Sequence, residues 1–458
     1  MLKLLGGKAD AGRMSRRALR AGRENAVCAL AAACGVATMA WLGLTGFAWS
    51  DYEVEARGPL EALVHGHLTE FLREIPVYGG SLVLRAPFAL MTDLWGGGEL
   101  AVYRMVALPC LLAAAALGVW LVANMRQRGR APLARAVALA LCVANPLTLS
   151  ALEVGHPEEL LGGALCVAAV LLAARGRAAW AGLLLGAAVA NKEWALLALV
   201  PVLLALPSRR LLCLLLAGAV ASAILAPAVL VGAGAFVAVT RATATPSSSI
   251  FQPWQIWWFL GHHGPVVRGT FGRIKLGYRT GPAWTGELSH PLVLAAMVPL
   301  GGLLWWRKRA AVRLRGGRLA GVGRGSPVRH PRVMVSEREA LLLLVLLLLA
   351  RCMLDTWDTG YYALPFLLAL TAWECRGTRG LPALALGATA AAWVDFQWLP
   401  YHASADVQAA CFLLWTLPLA AGLALRLYTP VALAGLARRT AQAGELLIRR
   451  RSAPSAAR

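Results

Sequence analysis

Short polar clusters interrupt an otherwise apolar chain, and several hold residue types suited to proton transfer or anion binding. Ser50-Asp51-Tyr52-Glu53-Val54-Glu55 places three carboxylates within five residues, directly after a long apolar run. A carboxylate fixed at a helix end beside a membrane loses part of its hydration, which raises its basicity and suits it to take a proton from a hydroxyl. A solvated acidic face is the simpler account of the same spacing. A second cluster runs from Asn145-Pro146 through Glu153, Gly155, His156, Pro157, Glu158 and Glu159. Acids in a first helical turn meet the helix dipole favourably, which accounts for Glu158 and Glu159 as a helix start but not for His156 beside them.

Asn191-Lys192-Glu193-Trp194 forms a third cluster, set within apolar chain. Ionisable side chains at membrane depth are costly, so they mark a substrate path or an internal pair. Lys192 is accordingly a candidate to neutralise a phosphate, or else to pair with Glu193 or snorkel outward. The segment Thr240 to His290 carries Pro253-Trp254-Gln255-Ile256-Trp257-Trp258, and its cations Arg241, Arg268, Arg273, Lys275 and Arg279 outnumber its one acid, Glu287. Tryptophans favour the membrane interface, and their faces also serve as sugar platforms, which makes Trp257 a candidate. A positive patch suits an anionic lipid phosphate, with Arg241 and Arg268 as candidate contacts. Asp355-Thr356-Trp357-Asp358-Thr359-Gly360-Tyr361-Tyr362 and the stretch Asp395 to Asp406 complete the set, with Asp358 and Tyr361 as candidate substrate contacts.

The elements that must position these residues are membrane helices. The chain has 458 residues, of which 59% are hydrophobic and 15% charged, with a mean hydropathy of +0.61. This composition excludes soluble domains. A spanning helix needs roughly 20 apolar residues. Runs of that kind centre on 26–49, 101–124, 134–151, 159–174, 178–191, 193–207, 211–236, 291–306, 340–354, 361–374, 381–398 and 408–426. The expectation is an all-α integral membrane protein with about 12 transmembrane helices. The pair 178–191 and 193–207 reads as one long tilted helix or two broken at Asn191-Lys192-Glu193. Two is preferred, because an even count keeps Arg175, Arg177, Arg209 and Arg210 on one side. Within the first external loop, Pro59 to Glu74 has apolar residues at helical spacing and reads as an amphipathic helix on the membrane surface. Ser81 to Leu94, with Arg85, reads as a second short helix that dips into the interface.

The net charge of +22 then becomes a topology signal. Under this arrangement 34 of the 45 basic residues fall in segments assigned to the cytoplasm, as the positive-inside tendency requires. Nucleic-acid binding is excluded, since that function gathers basic residues on one water-facing surface. The chain divides into a basic cytoplasmic N-terminus, 1–25, a polytopic domain, 26–426, and a basic cytoplasmic tail, 427–458. The domain carries external loops 50–100 and 240–290 and a basic cytoplasmic loop at 307–338. The first apolar run is too long for a signal core and reads as a retained anchor. Both termini are placed in the cytoplasm of a cell-membrane protein, with the polar clusters on the external face. Seventeen of the 23 acidic residues lie on or at the edge of that face. The nine cysteines show no CxxC or zinc-ligand spacing and read as packing residues, so no metal or disulfide is assigned. No phosphate-cradling glycine loop is present, which argues against an ATP-driven pump.

The order of anchor, Asp51 in an acidic first external loop, loop helices, Gly155-His156-Pro157-Glu158-Glu159, the Asn191-Lys192 break and the Asp358 to Tyr362 turn resembles the GT-C superfamily of polytopic glycosyltransferases. Within it the sequence is most similar to glycosyltransferase family 87, the actinobacterial polyprenol-phosphate-mannose-dependent mannosyltransferases. The resemblance implies a GT-C-like fold and inverting transfer of a sugar, mannose in that family, from a polyprenyl-phosphate donor to a cell-envelope glycan or glycolipid. It implies Asp51 as the base, or Glu53 in a shifted register. His156 and Glu158 would then orient sugar or acceptor hydroxyls, with Glu159 a further candidate substrate contact, and Lys192 together with Arg241 or Arg268 would hold the phosphate. Phosphate is a competent leaving group, so no cofactor or metal is expected. The competing expectation is a secondary transporter or lipid-linked-sugar flippase using Lys192, Glu193 and Glu153 as a membrane path.

Overall fold

The computed structural model describes residues 2–45, 50–75, 79–244, 252–263, 267–268, 274–275, 278–319, 334–377 and 380–429. Helices dominate the described residues, and six helical stretches are long and apolar enough to cross a membrane: 22–43, 99–127, 132–154 (broken at Asn145), 210–238, 283–312 (two abutting helices) and 405–428. The chain is thus an all-α membrane protein, but length and apolarity support six crossings where the sequence suggested about 12. The remaining expected spans fall on shorter helices: Glu158–Ala174, Ala178–Asn191, Leu199–Ala205, Glu337–Leu354, Ala363–Gly377 and Ala383–Trp393. The helix Glu337–Leu354 is 18 residues long but carries four charged residues, Glu337, Arg338, Glu339 and Arg351. It starts at a Ser336/Glu339 capping box, and its residues from Ala340 to Leu349 are buried throughout. A helix apolar on every side belongs at the centre of a bundle.

Local sequence explains the breaks. Asn145 caps the helix Pro146–Val154 by accepting from the Leu147 amide at 3.0 Å, and Pro146 occupies the first turn, where its missing N–H costs nothing. That helix ends at Gly155, whose φ of +103° lies in the region that favours glycine. Between Ala178–Asn191 and Glu193–Ala198, Lys192 is extended at φ −153° and ψ 134°. The two short apolar segments are therefore separate, as the charge pattern favoured.

The expected amphipathic helix from Pro59 to Glu74 is two helices, Arg57–Val64 and Leu68–Glu74, divided where Gly66 takes φ +80°. Pro59, Leu60, Leu63 and Phe71 are buried in the protein, so these apolar faces pack inward. The second loop helix spans Gly79–Leu90 and continues as a 3₁₀ turn, Met91–Trp95. The segment from 262 to 280 adds two small antiparallel ladders, His262–His263 with Arg279–Thr280 and Val267–Arg268 with Ile274–Lys275. They are the one departure from an all-helical chain among the described residues.

The first helix runs unbroken from Leu2 to Gly43, so the division at residue 25 falls inside it. Residues 430–458 of the tail and 320–333 of the basic loop lie outside the described residues. Segments that charge assigned to one side do meet at one end of the bundle. Arg376 pairs with Glu337 and donates to Asn124, Arg175 donates to the same Asn124 oxygen, and Glu24 lies near Arg126 and Arg135.

Candidate functional site

The opposite end gathers the acidic clusters. The helix Glu158–Ala174 is 17 residues long, so it separates the two ends by about 25 Å at 1.5 Å per residue. At its start, His156 is the hub. Its Nδ1 lies 2.7 Å from Glu158 Oε1, and its Nε2 lies 3.2 Å from Asp51 Oδ2 and 3.9 Å from Glu55 Oε2. Tyr361 stacks on the imidazole with ring centroids 4.4 Å apart.

The approach of the first loop to His156 depends on Gly155. A Cβ there would lie 2.7 Å from the Tyr52 backbone nitrogen, so the glycine lets the short helix Ser50–Glu55 sit against the turn. Tyr52 is buried against Tyr103, whose hydroxyl donates to the Leu152 carbonyl. On this helix Asp51 and Glu55 are four residues apart and share one face. Glu53, between them, is exposed. Asp51 keeps about a third of its side chain accessible, at 34%.

Below His156 lies a buried ion network. Glu158 receives Lys192 at 3.2 Å and Arg85 at 3.6 Å. Glu159 lies 3.8 Å from Lys192, accepts from the Trp194 indole at 3.1 Å, and is held by both terminal nitrogens of Arg351 at 3.1 Å. The Arg351 guanidinium is also sandwiched by the Trp194 and Tyr362 rings, at 4.7 and 4.3 Å. Two backbone devices fix this network. Asn191 donates to the Glu158 carbonyl at 3.0 Å, tying the Lys192 break to the helix start. A Cβ on Gly80 would run into the Ala190 carbonyl, so that glycine lets the Arg85 helix close on the same break.

Electrostatics follow from this packing. Burial disfavours a charged imidazole, yet the Glu158 charge and the hydrogen bonds to Asp51 and Glu158 outweigh it, and His156 is pushed up to about 9. It is an imidazolium at neutral pH. Burial raises the Glu55 carboxyl above the usual range, against the pull of His156 and Lys192. The four carboxylates Asp51, Glu55, Glu158 and Glu159 face four cationic groups, Arg85, His156, Lys192 and Arg351, so the cluster is nearly neutral.

A second group adjoins it through the segment after Arg351. Asp355 accepts from His290 at 3.2 Å and from the Trp357 amide at 2.9 Å. Burial works to raise the Asp355 carboxyl, but these partners and the nearby Arg351 lower it overall. Asp358 is fully buried, and burial together with the Asp355 charge pushes its carboxyl well above the usual range. Trp257 donates to the Leu354 carbonyl at 2.7 Å and meets Trp284 edge-on, so the tryptophan-rich loop is docked on this segment.

Of the residues singled out in the sequence, Asp51, His156, Glu158, Glu159, Lys192 and Tyr361 come together around one centre. Glu53 points away. Trp257 and Asp358 belong to the adjoining group. Arg241 closes a helix and Arg268 lies in a two-residue strand, and the side chains of both fall outside the described residues. Sequence reasoning missed Glu55, Arg85, Arg351 and Trp194 as members of the site. The i, i+4 spacing of Asp51 and Glu55 is the available signal for the first; Arg351 follows a leucine run within the expected span 340–354, with no local partner to mark it.

A model of glycosyltransferase family 87 matches residues 78–325, more than half of the chain. The match covers Arg85, His156, Glu158, Glu159 and Lys192 and leaves Asp51, Glu55 and Arg351 outside it. No curated protein matches the chain.

Proposed function

The chain belongs to glycosyltransferase family 87, and from that premise we propose that this membrane glycosyltransferase moves a sugar from a polyprenyl-phosphate donor to a hydroxyl of a cell-envelope glycan or glycolipid. The sugar is mannose in our reading, the reaction inverts the anomeric centre, and the site faces the outside of the cell membrane. Asp51 acts as the base. Its carboxylate takes the acceptor hydroxyl proton as that oxygen attacks the anomeric carbon, and the bond from that carbon to the phosphate oxygen breaks with its electron pair going to the lipid phosphate. The observation that carries this reading is the pairing of a one-third-exposed Asp51 with a buried His156 imidazolium, 3.2 Å apart. The imidazolium holds the carboxylate in place, and His156 itself, already protonated, is unsuited to accept the proton.

The ion network bears on the donor. Lys192 has its charge met by Glu158 and Glu159, so the phosphate charge would be met chiefly by cations of the 240–290 segment, with Arg241 and Arg268 as candidates. Stabilising the leaving phosphate is a large part of the catalytic demand. Purified protein given a radiolabelled polyprenyl-phosphate mannose and envelope acceptors tests the proposal. Wild type transfers label, and Asp51→Asn lowers transfer on the order of 100-fold or more. Full transfer by Asp51→Asn overturns the base assignment. Movement of the lipid-linked sugar across liposomes without transfer overturns the enzymatic reading in favour of a flippase.

A further inference from the structure

At the end of the bundle away from Asp51, the structure holds a cavity of about 260 Å³ lined by Gly176, Arg177, Trp180, Arg209 and Leu212 among others. It sits where the helix Ala178–Asn191 begins and where the turn before the helix Arg210–Ala244 ends. Arg177 and Arg209 are exposed, and among the described residues neither is paired with a carboxylate. Arg209 is the one described non-glycine residue with a positive φ, +57°, a conformation that costs a bulky side chain energy and is kept here at the cavity rim.

The surface beside the cavity is apolar. Trp180 is 59% exposed, and Leu211, Leu212, Leu214 and Leu215 are exposed along the first turns of the helix that follows. That helix, 210–238, is one of the six apolar enough to cross a membrane, and almost none of it is buried by the protein. A two-ended site results, with unpaired arginines at the rim and an open apolar helix face running away from them. An interfacial tryptophan marks the boundary between the two.

We propose that this cavity binds the phosphate headgroup of an anionic phospholipid from the surrounding bilayer, with the acyl chains lying along the exposed face of the helix that starts at Arg210. Charge decides the class of ligand, since two unpaired guanidiniums favour a phosphate with net negative charge over a zwitterionic headgroup. The apolar face decides the source, because a soluble phosphate has no use for it. The helices Glu158–Ala174 and Ala178–Asn191 run between this cavity and the Glu158–Lys192 pair, so a lipid bound here grips the far ends of two helices that carry the site.

The test is native mass spectrometry of the full chain released from nanodiscs of phosphatidylglycerol and phosphatidylcholine in equal amounts, with titration of each lipid. Wild type retains phosphatidylglycerol in preference. Each arginine contributes about fivefold, so Arg177→Gln with Arg209→Asn weakens that retention roughly 25-fold; Asn tolerates the positive φ at 209. Should the double variant fail to fold, Arg177→Gln alone, at an exposed position, carries the roughly fivefold expectation. Equal retention of the two lipids by wild type, or undiminished phosphatidylglycerol retention in either variant, overturns the proposal. Displacement of phosphatidylglycerol by inorganic phosphate at the same concentration overturns it too, since the pocket would then be a free-phosphate site.

Discussion

Asp51 and His156 stand 105 residues apart in the chain and 3.2 Å apart in space, and the contact exists because Gly155 lets the backbone at Tyr52 lie against the turn. One imidazolium thus joins the first loop to the buried network around Glu158, so the position of the proposed base is set by groups remote from it in sequence.

The three acids of the first loop should separate by helical face. Glu55 lies 3.9 Å from the His156 ring, whereas Glu53 is exposed on the other side of the same short helix. Glu53→Gln is expected to change stability by no more than about 0.5 kcal/mol and sugar transfer by no more than about twofold, as exposed substitutions generally do. Glu55→Gln removes one of the carboxylates facing the imidazolium and is expected to reduce transfer more than Glu53→Gln does. A transfer assay on the two purified variants checks this. Greater loss in Glu53→Gln would move the catalytic face of the helix.

His156 makes stability depend on pH in a defined direction. Its folded value, about 9, exceeds the value near 6.5 expected of an unfolded histidine. The native state therefore holds the proton more tightly. The stabilisation is complete below about pH 6.5 and disappears as pH rises through 9. Thermal unfolding in detergent should show wild type losing its advantage over His156→Gln across that interval. Parallel curves for the two proteins from pH 6 to 10 would sink this account.

Much of the site was legible because its residues are out of place in an apolar chain. His156 between acids and Lys192 within a hydrophobic stretch announce themselves by cost alone. Arg351 does not, since its partner Glu159 is 192 positions away and nothing local to the leucine run indicates that its arginine turns inward. Arg85 was visible only as one charge in a short helix, and its role depends on Gly80 closing against Ala190. Length and apolarity among the described residues support six crossings rather than about 12. Apolarity measures removal from water, and the helix Glu337–Leu354 achieves that against other helices. The amphipathic reading of 59–74 saw the period but not the break at Gly66, where a positive φ ends the helix.

Gly155→Ala tests how the first loop is seated. At φ +103° an alanine is strained by about 1–3 kcal/mol, and its Cβ would also press on the Tyr52 amide, so the helix Ser50–Glu55 must shift. Stability should fall by at least that strain. Transfer should fall further than stability explains, since a displacement near 1 Å of a catalytic group costs on the order of 100-fold. Comparing unfolding midpoints with transfer rates at a temperature where the variant is folded separates the two effects. A folded variant with normal transfer would show that Asp51 does not need this seating.

The Arg351–Glu159 pair tests whether the buried network is a structural unit. Both terminal nitrogens of Arg351 reach Glu159 at 3.1 Å in a site closed to solvent, with the guanidinium between the Trp194 and Tyr362 rings. Removing one member of a buried pair leaves the other charge without compensation, at a cost of about 3–5 kcal/mol. Arg351→Met should therefore be strongly destabilising. Glu159 would retain Lys192, but that contact is longer, at 3.8 Å, and Lys192 is shared with Glu158. The double variant Arg351→Met/Glu159→Gln removes both charges and should recover part of the lost stability, giving a coupling of roughly 0.5–3 kcal/mol in a double-mutant cycle. Unfolding midpoints of the four proteins in one detergent measure it. Additive losses would mean that the two side chains do not depend on one another, and that Lys192 alone balances Glu159.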